Sequence, residues 1–411
     1  MIHVHKPKIE EDKEICRVSY EIEEKGRLKK LFFEFDKKWI WGMIDRGDHL
    51  LVMLFLYAMK VKEDLKFDMP ITERLYYQVN TYLIDGLHQE NKNYKKIKIY
   101  AERTSEDYQK EKEHKKVIGT GMSCGTDSLC TFYTHNYLNN CEDYKINILA
   151  YFNLGAFHYG DGKKNENQEG KCVYEEHKKM VQKFADEVKL PLFILNSNFA
   201  ELFPMDHDMV DAMRNCGAVL MFQKMFDVYY YSSSYPLNDF YLNPEKGSGY
   251  YEIYTLPNIS TNSLTFYSSN STYNKLRKIT AISKFAPSYK YLNVCTVKST
   301  NCGQCSKCAR TLMMLDAVGK VNKYAEVFDI EKYKKRKAML MGYALASYKE
   351  THFKELVPIL KKKRKLPFTS YFYYIIFCLT KPIERIMRKL PPEKRRMLVK
   401  FSEKYHIRAP F

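Results

Sequence analysis

The chain has no apolar run approaching the roughly 20 residues that a membrane-spanning helix needs, so a bilayer-crossing protein is not expected. Its start, MIHVHKPKIEEDKEIC, is polar and charged, without the apolar stretch of a secretory signal. The phosphate-loop pattern Gly-x-x-x-x-Gly-Lys-Ser/Thr is absent, which argues against a P-loop kinase or GTPase. No internal repeat and no low-complexity linker is found. Acidic residues are scarce at one end. From Lys320 onward, 24 Lys and Arg stand against 8 Asp and Glu, a net of +16 within a whole-chain charge of +18. The preceding 319 residues are nearly neutral, so the high overall basicity is no argument for a nucleic-acid substrate.

What is present is ordinary globular material. Hydrophobic content of 45% and charged content of 28% over 411 residues allow two or three domains with a real core. Eleven cysteines without an export signal point to a reducing, cytoplasmic location rather than a disulfide scaffold.

The most informative stretch is VIGTGMSCGTDSLCTFY, Val117 to Tyr133. A short apolar and small run reads as a buried strand. It breaks into Ser123-Cys124-Gly125-Thr126-Asp127-Ser128 and then into the apolar start of a helix. Gly125 permits a positive φ or a close backbone approach. Asp127 and Ser128 sit where a helix N-terminus is capped. Free N–H groups and the helix dipole then converge on one spot, an anion site flanked by two serine hydroxyls. The Asp127 carboxylate is placed to hold Mg²⁺ on a bound phosphate. Cys124 is read two ways, as a thiol with a lowered pKa beside a helix N-terminus or as a tolerated substitution.

Around this loop the chain falls into three expected segments. Residues 1–112 read as a leading α+β domain, with a hairpin turning near Gly26, a buried helix over Asp48 to Met59, a helix opening at Thr72 and a strand over Ile97 to Ala101. Its expected role is to shape the substrate site or to dimerise. Residues 113–320 alternate strands and helices, the order of a doubly wound parallel sheet of Rossmann-like type. The strands are placed at Ile146 to Asn153, Leu192 to Asn196 and Tyr229 to Ser232, with helices over Tyr174 to Val188 and Met209 to Val228. Residues 321–411 read as a basic, mostly helical tail.

Late in the second segment stands NCGQCSKCART, with Cys302, Cys305 and Cys308 at two-residue intervals and Cys295 upstream. Four thiolates so spaced can converge on one ion, and tetrahedral sulfur is the preferred shell of structural zinc. An iron–sulfur cluster is the alternative.

The order Ser-x-Gly-x-Asp-Ser after a strand resembles the pyrophosphate loop, SGGxDS, of the PP-loop ATP pyrophosphatase superfamily, with Cys124 standing where that family usually has its first glycine. The late cysteine cluster makes residues 116–320 similar to the 7-cyano-7-deazaguanine synthase family. Tyr151 to His158 (YFNLGAFH) resembles its Phe-Asp-Tyr-Gly-Gln-Arg-His segment, with Asn153 replacing the acidic residue and Ala156-Phe157 replacing Gln-Arg. Met213-Arg214-Asn215 resembles its Pro-x-Arg-Asn segment. The resemblance implies ATP with Mg²⁺ on residues 123–128, structural Zn²⁺ on the four cysteines, and Asp127, Ser128 and Arg214 as catalytic groups, Arg214 contacting phosphate or substrate. It implies adenylation of a carboxylate or carbonyl on a nucleobase-like small molecule, release of pyrophosphate, and an amide or nitrile formed with a nitrogen donor. Two other functions fit the same residues. One is tRNA thiolation. The other is a non-catalytic nucleotide-binding module whose work is done by the tail. The tail carries an aromatic run, Tyr371 to Leu379, between the basic runs Lys361 to Lys365 and Arg385 to Arg396. It reads as a segment lying on an anionic membrane, as an ordinary core helix with solvated charges, or as an RNA-attracting polycation.

Overall fold

The computed structural model describes residues 1–105, 115–156, 167–295 and 298–388. The boundary expected at residue 112 lies outside them, as do Phe157, His158 and the end of the second basic run. Two compact units form: Met1–Ser123 with Asp127–Asn274, and Cys124–Thr126 with Lys275–Phe411.

The first unit is organised on one eleven-stranded sheet. The leading region contributes β1 (Ile2–Val4), β2 (Lys8–Glu11), β3 (Ile15–Glu24), β4 (Arg27–Asp36) and β5 (Leu65–Phe67). It also holds β6 (Ile71–Thr72), β7 (Ile99–Tyr100) and β8 (Arg103–Thr104), of which β6 and β8 pair separately. Period-two alternation sets the hairpin. Cys16, Val18, Tyr20 and Ile22 of β3 point inward with Leu31, Phe33 and Phe35 of β4, while Arg17, Glu21 and Glu23 face out. Lys25 (φ 53°) and Gly26 (φ 72°) form its two-residue turn, both left-handed, which matches the twist of the paired strands.

The α/β part follows with β9 (Ile118–Gly121), β10 (Ile148–Asn153), β11 (Leu192–Ser197), β12 (Val228–Ser232) and β13 (Thr265–Ser269). These five are parallel and lie in the order β13-β12-β9-β10-β11, so the chain winds outward in both directions from β9. The crevice at the carboxyl ends of β9 and β12 is therefore a topological switch point, where sheets of this kind bind ligands. On the far side, β11 pairs antiparallel with β4. The leading strands thus extend the same sheet, and one hydrophobic core runs from Ile2 to Phe266.

Helices cover both faces. Phe132 and Phe184, from helices Thr126–Tyr133 and Asn167–Val188, meet edge-to-face at 5.4 Å on one side. On the other, helices Asp48–Val61 and His207–Leu220 cross at Gly217, where a Cβ would come within 2.4 Å of Met53 Cγ. The latter helix stops at Leu220, earlier than its apolar pattern suggests, because Phe222, Met225 and Phe226 bury themselves from a turn instead.

The second unit is helical. Helices Ser306–Ala317, Ile330–Ala346 and Leu356–Lys362 bury Leu312, Leu315, Leu340, Met341, Leu356 and Leu360. Asp316 ties two of them, accepting from Tyr333 OH at 2.9 Å and pairing with Lys337 at 2.7 Å. Among the described residues no helix is long and apolar enough to cross a membrane.

Candidate functional site

The residues after β9 form the expected strand–turn–helix. Strand β9 is buried, and helix Thr126–Tyr133 begins three residues after Ser123. Ser123 is exposed, and its Oγ lies 3.3 Å from the Ser128 Oγ, while its own N–H donates to Ser128 Oγ at 3.4 Å. The two hydroxyls are therefore gathered over the first turn of the helix. Asp127 is partly exposed in that turn.

One detail differs from the sequence expectation. The left-handed residue of the turn is Cys124 (φ 52°), not Gly125. Cys124 is fully buried, and burial pushes its thiol well above the ordinary value, the opposite of an activated thiolate. Its carbonyl accepts from the Asn293 N–H at 2.9 Å within the second unit. The position where the resembled loop has glycine is the one that demands positive φ. The side chain that replaces it is buried in the protein.

At the same edge of the sheet a ladder of polar side chains crosses four strands, register by register. Arg17 on β3 donates to Glu34 Oε1 on β4 through Nε (2.9 Å) and a terminal nitrogen (2.6 Å). Asn196 on β11 donates from Nδ2 to Glu34 Oε2 at 3.3 Å. Asn153, the last residue of β10, donates from Nδ2 to Asn196 Oδ1 at 2.8 Å. Because the guanidinium can only donate, every amide in the row is oriented by its neighbour. The row ends on Asn153 Oδ1, a buried acceptor with no partner among the described residues. Ser232 Oγ, at the carboxyl end of β12, is likewise buried and without a partner. Buried polar atoms are rarely left so, and both lie on strands that flank β9. Sequence reasoning noticed Asn153 only as a replacement. Arg17, Glu34 and Asn196 give no motif signal, since only the register brings them together.

Arg214 is placed beneath the strand ends. It is 2% exposed and donates to the carbonyls of Phe203 (2.9 Å) and Leu154 (3.4 Å), with its guanidinium carbon 5.6 Å from the Phe199 ring centroid. Burial lowers its pKa to about 10, against a smaller raising effect of Asp211. His177 is held by Tyr151 OH at 2.8 Å and driven to about 4 by burial, a neutral structural imidazole. An open groove of about 490 Å³ lies elsewhere, lined by His135, Tyr144, Tyr230 and Tyr273, with none of residues 123–128 in its wall.

The cysteine expectation is met in geometry. All four sulfurs of Cys295, Cys302, Cys305 and Cys308 lie within 4.8 Å of one another, and no cysteine among the described residues is in a disulfide. Cys295–Cys305 and Cys302–Cys308 are each 4.0 Å apart. Tetrahedral Zn–S bonds of about 2.3 Å require sulfurs about 3.8 Å apart, so the cage fits zinc with little adjustment. Backbone N–H groups of Gln304 and Cys305 point at Cys302 Sγ, and those of Lys298 and Cys308 at Cys295 and Cys305, at 3.3–3.5 Å. Gly303 (φ 68°) makes the turn that aims two of them. Such donors stabilise thiolates. The crowded thiols oppose one another's ionisation: the hydrogen bond that the Cys308 S–H donates to Cys305, then burial, push Cys308 far up. Asn301, which the motif does not reveal, braces the site. Its amide donates to the carbonyls of Leu292 (2.7 Å) and Val327 (3.2 Å), and its Oδ1 accepts from Val294 N–H at 2.9 Å.

No family model, no curated protein and no solved structure matches this chain.

Proposed function

We propose that the turn at residues 123–128 cradles the phosphates of ATP and that the protein is an AMP-forming ligase or synthase. The observation that carries this reading is the pairing of Ser123 and Ser128 hydroxyls over a helix N-terminus at the switch point of the parallel sheet. The partnerless acceptors Asn153 Oδ1 and Ser232 Oγ at the neighbouring strand ends support a ligand there. In this reading Ser123, Ser128 and the turn's N–H groups hold the β- and γ-phosphates, and Asp127 holds Mg²⁺ on them. A substrate carboxylate oxygen attacks the α-phosphorus. The bond from the α-phosphorus to the bridging oxygen breaks, and pyrophosphate leaves. Ammonia or an amine then displaces AMP from the acyl-adenylate to give an amide. For the primary amide formed from ammonia, a second ATP adenylates the amide oxygen with loss of pyrophosphate and a proton, and elimination of AMP with the remaining N–H proton gives a nitrile. The work is positioning and charge neutralisation, which this loop is equipped to supply. Arg214 serves by tying Leu154, just after β10, to Phe203, which follows the short helix after β11. The four-cysteine cage takes a structural zinc.

The test is pyrophosphate release from ATP and Mg²⁺ over a panel of small carboxylates and heterocyclic acids with ammonium present, with the products read by mass spectrometry. Asp127→Asn keeps shape and removes charge, so release drops by about 100-fold or more while the melting temperature holds. Unchanged turnover in that variant removes the proposal.

A further inference from the structure

We propose that helix Thr369–Arg388 is a docking element for an anionic lipid surface, lying in the headgroup plane without crossing it. Among the described residues, the second unit buries only one face of this helix. Ser370 and Phe377 are buried, and Phe377 meets Tyr343 edge-to-face at 5.3 Å. Helix Ile330–Ala346 approaches tightly at Gly342, where a Cβ would lie 2.5 Å from Tyr373 Cβ and 2.7 Å from the Ser370 carbonyl oxygen. The expectation that Tyr371 to Leu379 packs as an ordinary core helix is thus met on one side only.

The opposite side is apolar and open. Phe368 just before the helix is 91% exposed, and Phe372, Ile375 and Leu379 are 65%, 57% and 70% exposed. Their spacing of four, three and four residues sets them in one stripe along the helix. A water-facing helix carries polar residues on that stripe, so this composition has a use only against an apolar phase.

The occupant is chosen by charge. Lys361, Lys362, Lys363 and Arg364, all exposed, lie immediately ahead of the stripe at the end of helix Leu356–Lys362. Cations beside an aromatic and aliphatic stripe suit a surface that offers phosphate headgroups above acyl chains. A second copy of the chain would cover the stripe but bring no counter-charge, since from Lys320 onward it carries 24 Lys and Arg against 8 Asp and Glu. An RNA backbone satisfies the lysines and leaves the stripe in water.

The experiment is co-sedimentation of the full-length, zinc-replete chain with phosphatidylcholine vesicles, with and without phosphatidylserine. Wild type is expected to pellet with the anionic vesicles at low salt and to release as salt rises. Phe372→Ser with Ile375→Ser is expected to abolish pelleting. Lys361→Gln, Lys362→Gln and Lys363→Gln are each expected to weaken partitioning about fivefold. Circular dichroism and zinc content serve as the folding control for each variant. The proposal is overturned if wild type does not pellet with anionic vesicles at low salt, or if the stripe variant pellets as wild type does. Loss of a wild-type dimer in the stripe variant, without vesicle binding, assigns the stripe to a second copy and overturns it too. So does RNA retention on a filter that depends on the lysines alone, again without vesicle binding.

Discussion

Replacing Cys124 separates a loop constrained by its backbone from one that depends on a thiol. At φ 52° a residue with a Cβ carries a penalty of about 1–2 kcal/mol that glycine escapes. Cys124→Gly recovers that strain. It loses about 1.5 kcal/mol of buried Cβ and sulfur and a further ~0.7 kcal/mol to the freer unfolded chain. Cys124→Ala keeps the strain and loses only the buried sulfur, about 0.8 kcal/mol. Glycine and alanine therefore come out within about 0.5 kcal/mol of each other and close to wild type. At an ordinary negative-φ site, glycine would be the worse by about 1.5 kcal/mol. Cys124→Ser sets a hydroxyl in a fully buried position and is expected to be the least stable, by about 1–3 kcal/mol. Thermal melts read these differences at about 2–4 °C per kcal/mol for a unit of this size. A glycine variant melting well below the alanine variant refutes the strain argument. Loss of pyrophosphate release in a folded Cys124→Ala protein refutes the reading of this thiol as an inert, buried group.

Two further perturbations address other parts of the molecule. Elemental analysis is expected to find about one zinc per chain, and Cys305→Ser to lose both the metal and several degrees of melting temperature, since binding energy at such a cage is folding energy; zinc-free protein of full stability contradicts the assignment. His49 is fully buried, and burial drives its pKa down to about 3 against a smaller opposing pull from the Arg46 backbone. The unfolded chain takes up this proton near pH 6.5 and the folded one does not, so stability is intact above that pH and falls by about 1.4 kcal/mol per unit as pH drops toward 3. His49→Leu removes that slope, and parallel stability–pH curves for the two proteins over pH 4–7 would show the imidazole is not a buried neutral group.

The parts of this fold legible in the sequence are those set by local rules. The hairpin at Gly26 follows from alternation and from a glycine that adopts left-handed backbone without strain. The parallel strands β9 to β12 follow from apolar runs between amphipathic helices. The cysteine cage follows from spacing alone, since two-residue intervals place thiolates on one side of a tight turn. The fifth parallel strand, β13 (TFYSS), was not legible. It is a short edge strand with exposed Tyr267, and its apolar alternation is too brief to stand out. In the loop, glycine is the default reading for positive φ, so the sequence draws the eye to Gly125. Only the three-dimensional course of the turn shows that its sterically demanding position is occupied by cysteine. The pairing of β4 with β11, 160 residues apart in sequence, is invisible to any local pattern.

That pairing is what joins the leading region to the sheet edge on which the polar ladder runs. The ladder Arg17–Glu34–Asn196–Asn153 depends on strand registers from both halves of the sheet, and its direction is fixed at the Arg17 end. An acid at position 153 could not donate to Asn196 Oδ1, and it would add a second carboxylate to a row that already holds Glu34. It would also set a negative charge on the strand beside the proposed phosphate cradle. Asparagine keeps the row neutral there and ends it on a carbonyl oxygen, which accepts and cannot donate. A ligand completing the row must therefore present an N–H or O–H at the carboxyl end of β10. Specificity of this kind is set as much by the buried acceptor left unpaired with the wrong ligand as by the bond made with the right one.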